Sequence, residues 1–295
     1  MENKRRDFLR MASMGLIGAS MPKHTNLFFE SAIYPAKLSV QLYTVRNELV
    51  KDLQGTLKKL SNIGFKYIET AFWPDGVSIK KASQYIKDAG LSVSSSHVEI
   101  PIGAQKQVML DTANAFSTTK MIWHGWPEDK RYSSLEGTKE LVSIYNEASK
   151  FAKGNGLQFG LHNHWWEYRN KVGGKLVYEI LLEELDKDIF LEMDTYWVKV
   201  AGHNPASIIT KLGSRAKYLH IKDGPALYND KLAIDNPDPM TAVGKGTQNF
   251  PAIIKAANGY PEFLVIEMDK TASDVFEALK ESFDYMINNK LAIIG

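Results

Sequence analysis

Short apolar or β-branched runs alternate with amphipathic stretches eight times along this chain, and that alternation constrains the fold more than any other feature. The runs that read as strands are Leu38–Tyr43, Tyr67–Ala71, Ser92–Val98, Met121–Trp126, Gln158–His164, Ile189–Met193, Tyr218–Ile221 and Phe263–Glu267. Helices are expected over 47–63, 77–89, 104–116, 134–155, 176–185, 205–213, 249–258 and 272–289. Gly64, Gly90 and Gly156 punctuate helix ends. Strand starts recur at roughly the length of one βα unit. Eight such units with no break in composition predict one α/β domain over 31–295, a (β/α)8 TIM barrel. The rival is an open doubly wound sheet. It needs a Gly-rich phosphate turn after the first strand, and Leu42-Tyr43-Thr44-Val45-Arg46 has no Gly. The irregular stretch 223–248 reads as a lid or binding loop rather than a boundary. Its Gly244-Lys245-Gly246-Thr247 is no P-loop, because the leading spacing fails and no strand precedes it.

Composition removes several classes of function. With 36 Lys+Arg against 34 Asp+Glu in 295 residues, the net charge of +2 gives no general attraction to nucleic acid or anionic lipid. No run of about 18 apolar residues is present to cross a membrane. The absence of Cys excludes thiolate metal sites, Cys nucleophiles and disulfides, and fits an oxidising compartment. Residues 1–30 read as a leader and linker. Arg5-Arg6-Asp7-Phe8-Leu9-Arg10 precedes a weakly apolar run from Met11 to Met21, with Gly18-Ala19-Ser20 suited to cleavage. This pattern predicts twin-arginine export to the periplasm, with a basic cytoplasmic N-terminus as the alternative.

In such a barrel, reactive groups project from the C-terminal ends of the strands. Five of the seven His and all six Trp fall at those ends or just beyond. A lone Trp is usually core and a lone His usually a structural hydrogen-bonding residue. Their joint clustering on one rim points instead to a ligand with C–H faces and hydroxyl edges, a carbohydrate. Tyr43, Trp73, His97, His124, Trp126, Trp165 and Trp197 are the candidate substrate-binding residues. Asp194, His220 and Glu267 end three consecutive strands and aim imidazole and carboxylate at one axis, a donor set for one divalent ion such as Mn²⁺, Mg²⁺, Co²⁺ or Zn²⁺. Strand five offers His162-Asn163-His164-Trp165-Trp166-Glu167, where alternation puts His162 and His164 on one face.

At these residues the chain resembles the sugar phosphate isomerase/epimerase family, with its xylose-isomerase-like barrel. The stretches that carry the resemblance are Gln41–Arg46, His162–Glu167, Met193-Asp194-Thr195-Tyr196-Trp197, Leu219-His220-Ile221-Lys222-Asp223 and Val265-Ile266-Glu267. The resemblance implies one divalent metal held by Glu167, Asp194, His220 and Glu267. The strand-five ligand departs from the pattern: where the family's epimerases end that strand with Glu, this chain has His162, so His162 or His164 is the alternative to Glu167. The activity implied is isomerisation or epimerisation of a ketose or keto-sugar through an enediolate. Glu167 and Glu267 would be the proton-moving pair, and Lys222 the oxyanion or hydroxyl partner. The alternative is elimination from a 3-keto sugar or keto-inositol with His162 or His164 as base. The rim lacks a clear phosphate clamp, which argues against a phosphorylated substrate.

Two other classes compete. A DNA repair nuclease of the endonuclease IV type would need three metals and a basic groove, and Trp197 stands where that family has another His. A non-catalytic carbohydrate-binding barrel would need no Asp194, His220, Glu267 set. The expected partner is a small carbohydrate, with neither nucleic acid nor membrane; self-association is left open.

Overall fold

The structure, a computed structural model, describes residues 35–233 and 236–295. The leader assigned to 1–30 lies outside the described residues. Eight parallel strands close into a barrel: Lys37–Gln41, Tyr67–Thr70, Ser92–Val98, Lys120–Trp123, Gln158–His162, Phe190–Asp194, Ala216–Ile221 and Phe263–Ile266. Each pairs with its sequence neighbours, and the first closes on the eighth with Val40 opposite Ile266. A (β/α)8 barrel is therefore the fold, and its eight-stranded sheet has no open edge.

The helices fall within a few residues of the expected spans, with two local differences. The expected helix 47–63 is two helices, Arg46–Lys51 and Leu53–Ile63. Asp52 between them is extended, and its side chain accepts from Gly55 N–H, so an N-cap interrupts the run. The other is a pair of short helices unforeseen from the sequence, Trp166–Arg169 and Thr195–Val200, the latter starting directly at Asp194. A small antiparallel pair, Lys171–Val172 with Lys175–Leu176, was also not foreseen. Several strands end earlier than expected: strand four stops at Trp123 and strand five at His162, so His124 and His164 sit on loops at the mouth.

Side-chain alternation sorts the strands into two environments. Leu219, Ile221, Leu264, Ile266 and Met193 face outward into the core beneath the helices. Ile122, Phe190, Tyr218 and Val265 form a separate apolar cluster that plugs the barrel. Gly160 faces Phe190 so closely that a Cβ would lie 2.5 Å from its ring, and only Gly fits there. Two residues further along the same inward faces, apolar side chains give way to ionisable ones. Phe190 is followed by Glu192 and Asp194, Tyr218 by His220 and Lys222, and Val265 by Glu267. The plug thus forms the floor on which the polar site stands.

Candidate active site

Asp194, His220 and Glu267 converge: one donor atom from each lies within 4.8 Å of the others. His220 Nδ1 is 2.6 Å from Glu267 Oε2 and 3.9 Å from Asp194 Oδ2. Lys222 is fully buried beside them. Its ammonium lies 2.7 Å from Glu267 Oε2, 2.8 Å from Asp269 Oδ2 and 3.0 Å from Asp194 Oδ2. Asp194 also caps the helix Thr195–Val200, Oδ1 accepting from the Tyr196 and Trp197 N–H groups at 2.9 Å each. That use of Oδ1 orients the carboxylate and leaves Oδ2 facing the Lys222 ammonium.

Below this layer lies a second ionic layer. Glu69, wholly buried on strand two, accepts from Gln41 Nε2 at 2.7 Å and from Ser95 Oγ at 2.5 Å, and meets His220 Nε2 at 2.7 Å. Glu192 Oε2 lies 2.7 Å from His97 Nε2 and 3.1 Å from His162 Nδ1. His97 was expected to meet substrate; it reaches the cavity but is tied to Glu192. Neither Glu69 nor Glu192 was given a role from the sequence, although Glu192 stands two residues before Asp194 on the same face and alternation marks it as inward.

These environments set the charges. Burial alone would lower His97 and His220, but facing carboxylates outweigh it. Glu69 and Glu192 raise His97 to about 10, and Glu192, Glu267 and Glu69 hold His220 well above its usual range. Burial would raise Glu267, yet Lys222 and His220 hold it well below the ordinary carboxylate range. Burial, with Lys222 adding to it, pushes His164 well below the imidazole range, and burial with His97 takes His124 down to about 3. Both are neutral rings at physiological pH. His124 is already engaged at both nitrogens, with Trp126 N–H at 3.2 Å and Glu99 at 3.3 Å. His164 Nδ1 has no partner.

A cavity of about 200 Å³ opens above the layers, lined by Tyr43, Ala71, Phe72, His97, His124, Trp126, His162, His164, Lys222, Glu267 and Asp269. Phe72 and Asp269 are additions to the expected set. Phe72 is 58% exposed and Trp126 43%, so both rings stand at the mouth. Trp73, Trp165 and Trp197 do not line it. Trp73 packs on Phe116, Trp165 packs edge-on against Trp166 and Trp197, and Trp197 is fully buried. Glu167 is likewise elsewhere. Its carboxylate accepts from His164 N–H at 3.0 Å and lines a small separate cavity with Trp123, Tyr132 and Tyr145, where burial raises it to about 8.

The donor chemistry fits a divalent ion. Asp194 Oδ2, His220 Nδ1 and a Glu267 carboxylate oxygen are buried donor atoms gathered at one point, with the Lys222 ammonium beside them. Donors that each sit about 2.0–2.2 Å from one ion lie at most about 4.4 Å apart, and 2.6 and 3.9 Å meet that limit. The site can therefore bind a metal through Asp194, His220 and Glu267.

Residues 57–288 match the family described as "Xylose isomerase-like TIM barrel". An inosose dehydratase of Serratia proteamaculans is 25% identical over 74% of this chain and 72% of its own length. Among solved structures, a sugar phosphate isomerase/epimerase from Parabacteroides distasonis superposes with a TM-score of 0.71 at 25% identity, covering 85% of this chain and 98% of that one. An L-ribulose 3-epimerase gives 0.64 at 18% identity over 87% and 94%. A protein titled IOLI, with a bound zinc atom, gives 0.62 at 15% over 86% and 98%. The chain belongs to the xylose isomerase-like TIM barrel family.

Proposed function

We propose that this chain is a divalent-metal-dependent lyase that removes the proton next to the ketone of a keto sugar or keto-cyclitol and expels the β-oxygen. Asp194, His220 and Glu267 would hold the ion. When bound, the ion supplies Lewis-acid polarisation of the substrate's ketone oxygen. His164 supplies the base: a neutral imidazole on the cavity wall. The electron pair of the broken C–H bond becomes the new C=C bond as the β C–O bond breaks. The leaving oxygen departs with the proton that the His164 imidazolium returns. Lys222, cationic and at the cavity wall, would stabilise the developing oxyanion through its charge.

One observation carries elimination over epimerisation. Inverting a stereocentre takes a base on each face, and Glu167, the expected second carboxylate, lines a different cavity. Glu267 and Asp269 do line the site, but both are paired to Lys222. The likeness to an inosose dehydratase supports this reading. Epimerisation is the second reading. It is favoured by Asp269, which burial raises to about 6 in the loop after strand eight and which lines the same cavity as His164, and by the likeness to isomerase/epimerase structures.

Incubation with a 3-keto glycoside or a keto-inositol in D₂O separates the two. Release of an alcohol or water supports the lyase; deuterium gained at carbon with no group lost overturns it for the epimerase. Ligand binding without turnover or metal dependence would indicate a pure binding barrel. We also propose that the Arg5-Arg6 leader exports the chain to the periplasm; an uncleaved cytoplasmic chain on fractionation would refute that.

A further inference from the structure

The position where the resemblance calls for a strand-five Glu is His162, and the two ionic layers bear on what that exchange does. Two imidazole nitrogens flank Asp194 Oδ2 at nearly equal distance: His162 Nε2 at 3.8 Å and His220 Nδ1 at 3.9 Å. Both separations are too long for hydrogen bonds and within the span of two donors on one ion. In each ring the other nitrogen is held by a wholly buried carboxylate. Glu69 takes His220 Nε2 at 2.7 Å, and Glu192 takes His162 Nδ1 at 3.1 Å. A carboxylate accepts and cannot donate, so in His162 the gripped Nδ1 carries the hydrogen and Nε2 presents its lone pair; His220 also has Glu267 Oε2 at its Nδ1, 2.6 Å away, and an ion there would take the place of that nitrogen's proton. Glu69 is itself immobilised by Gln41 and Ser95 from strands one and three. The lower layer thus fixes the angle of both rings and the tautomer of His162.

We propose that His162 is the fourth metal donor beside Asp194, His220 and Glu267, and that Glu69 and Glu192 are positioning residues that aim His220 and His162 at the ion. The inference rests on the metal reading above and deepens it. A set of two imidazoles and two carboxylates suits Zn²⁺, Co²⁺ or Mn²⁺, whereas Mg²⁺ prefers an all-oxygen shell and keeps its waters. His162, in place of a carboxylate, is the residue that sets this preference.

The test is titration of the metal-free protein with Co²⁺, followed by visible absorption, beside calorimetric titration with Mg²⁺. One Co²⁺ per chain is expected, with a d–d band typical of mixed nitrogen and oxygen ligation and at least 100-fold tighter binding than Mg²⁺. Glu69→Gln and Glu192→Gln should each weaken Co²⁺ binding about 10- to 100-fold, with Mg²⁺ affected less. His162→Glu should shrink the Co²⁺ over Mg²⁺ preference and shift the band. Equal affinity for the two ions in the unaltered protein overturns the proposal and needs no variant to fold. So does an unchanged band in His162→Glu, or a stoichiometry of two ions per chain, which would make the lower layer a second metal site. Failure of every divalent ion to bind would instead sink the metal reading itself.

Discussion

Glu167 and Glu267 are both buried glutamates at the mouth end of the same barrel, yet they stand in opposite chemical states. Glu167 sits behind strand five among Trp123, Tyr132 and Tyr145, with backbone N–H as its partner, and burial lifts it to about 8. Glu267 sits inside the barrel against Lys222 and His220 and is held well below the carboxylate range despite burial. Desolvation acts on both; the neighbouring cations decide the outcome. A carboxylate that has to bind a cation stands in company of that kind, and a residue's being Glu near a strand end does not assign it that role.

The sharpest way to break this contrast is to neutralise each in turn. Glu267→Gln should lower turnover by about 10³-fold or more, the scale of several kcal/mol of lost Lewis-acid stabilisation, while circular dichroism stays that of the folded barrel. A variant with unaltered kcat would remove Glu267 from the site. His164→Gln should cost about 10²- to 10⁴-fold in kcat and leave metal stoichiometry intact; loss of bound metal in this variant would recast His164 as a ligand.

Glu167→Gln should change activity only a few-fold but alter the pH dependence of stability. With its folded pKa raised to about 8 from an ordinary 4.5, the favourable contribution of Glu167 is complete below pH 4.5 and is lost as pH rises through 8. Wild type and variant should therefore melt alike near pH 4, with the variant gaining at pH 9. Equal Tm differences at both pH values would contradict the assigned environment. The smallest effect belongs to the mouth: Trp126→Ala should raise KM several-fold, on the order of 1 kcal/mol of aromatic contact, with kcat kept.

The barrel was legible because the strand–helix period repeats eight times and each strand is short. Asp194, His220 and Glu267 were legible for the same reason, since alternation fixes which residues near a strand end face inward. Legibility stopped where the strands did. His162 ends strand five, and beyond it the chain turns into the short helix Trp166–Arg169, so counting along the strand could not say that Glu167 turns outward. The Trp clustering misled in part. A Trp just past a strand end can tuck beneath the surrounding helices as easily as over the mouth, and Trp166 and Trp197 do so while Trp126 lines the cavity. Glu69 and Glu192 stood out at strand ends but received no role, because that role depends on rings from other strands, a relation between residues far apart in sequence.

The most direct test of the account is metal content measured together with turnover of a keto-sugar substrate before and after chelation. The account predicts activity that disappears when the ion is stripped and returns when Mn²⁺, Co²⁺ or Zn²⁺ is restored. Undiminished turnover by protein holding no metal in excess EDTA would contradict it.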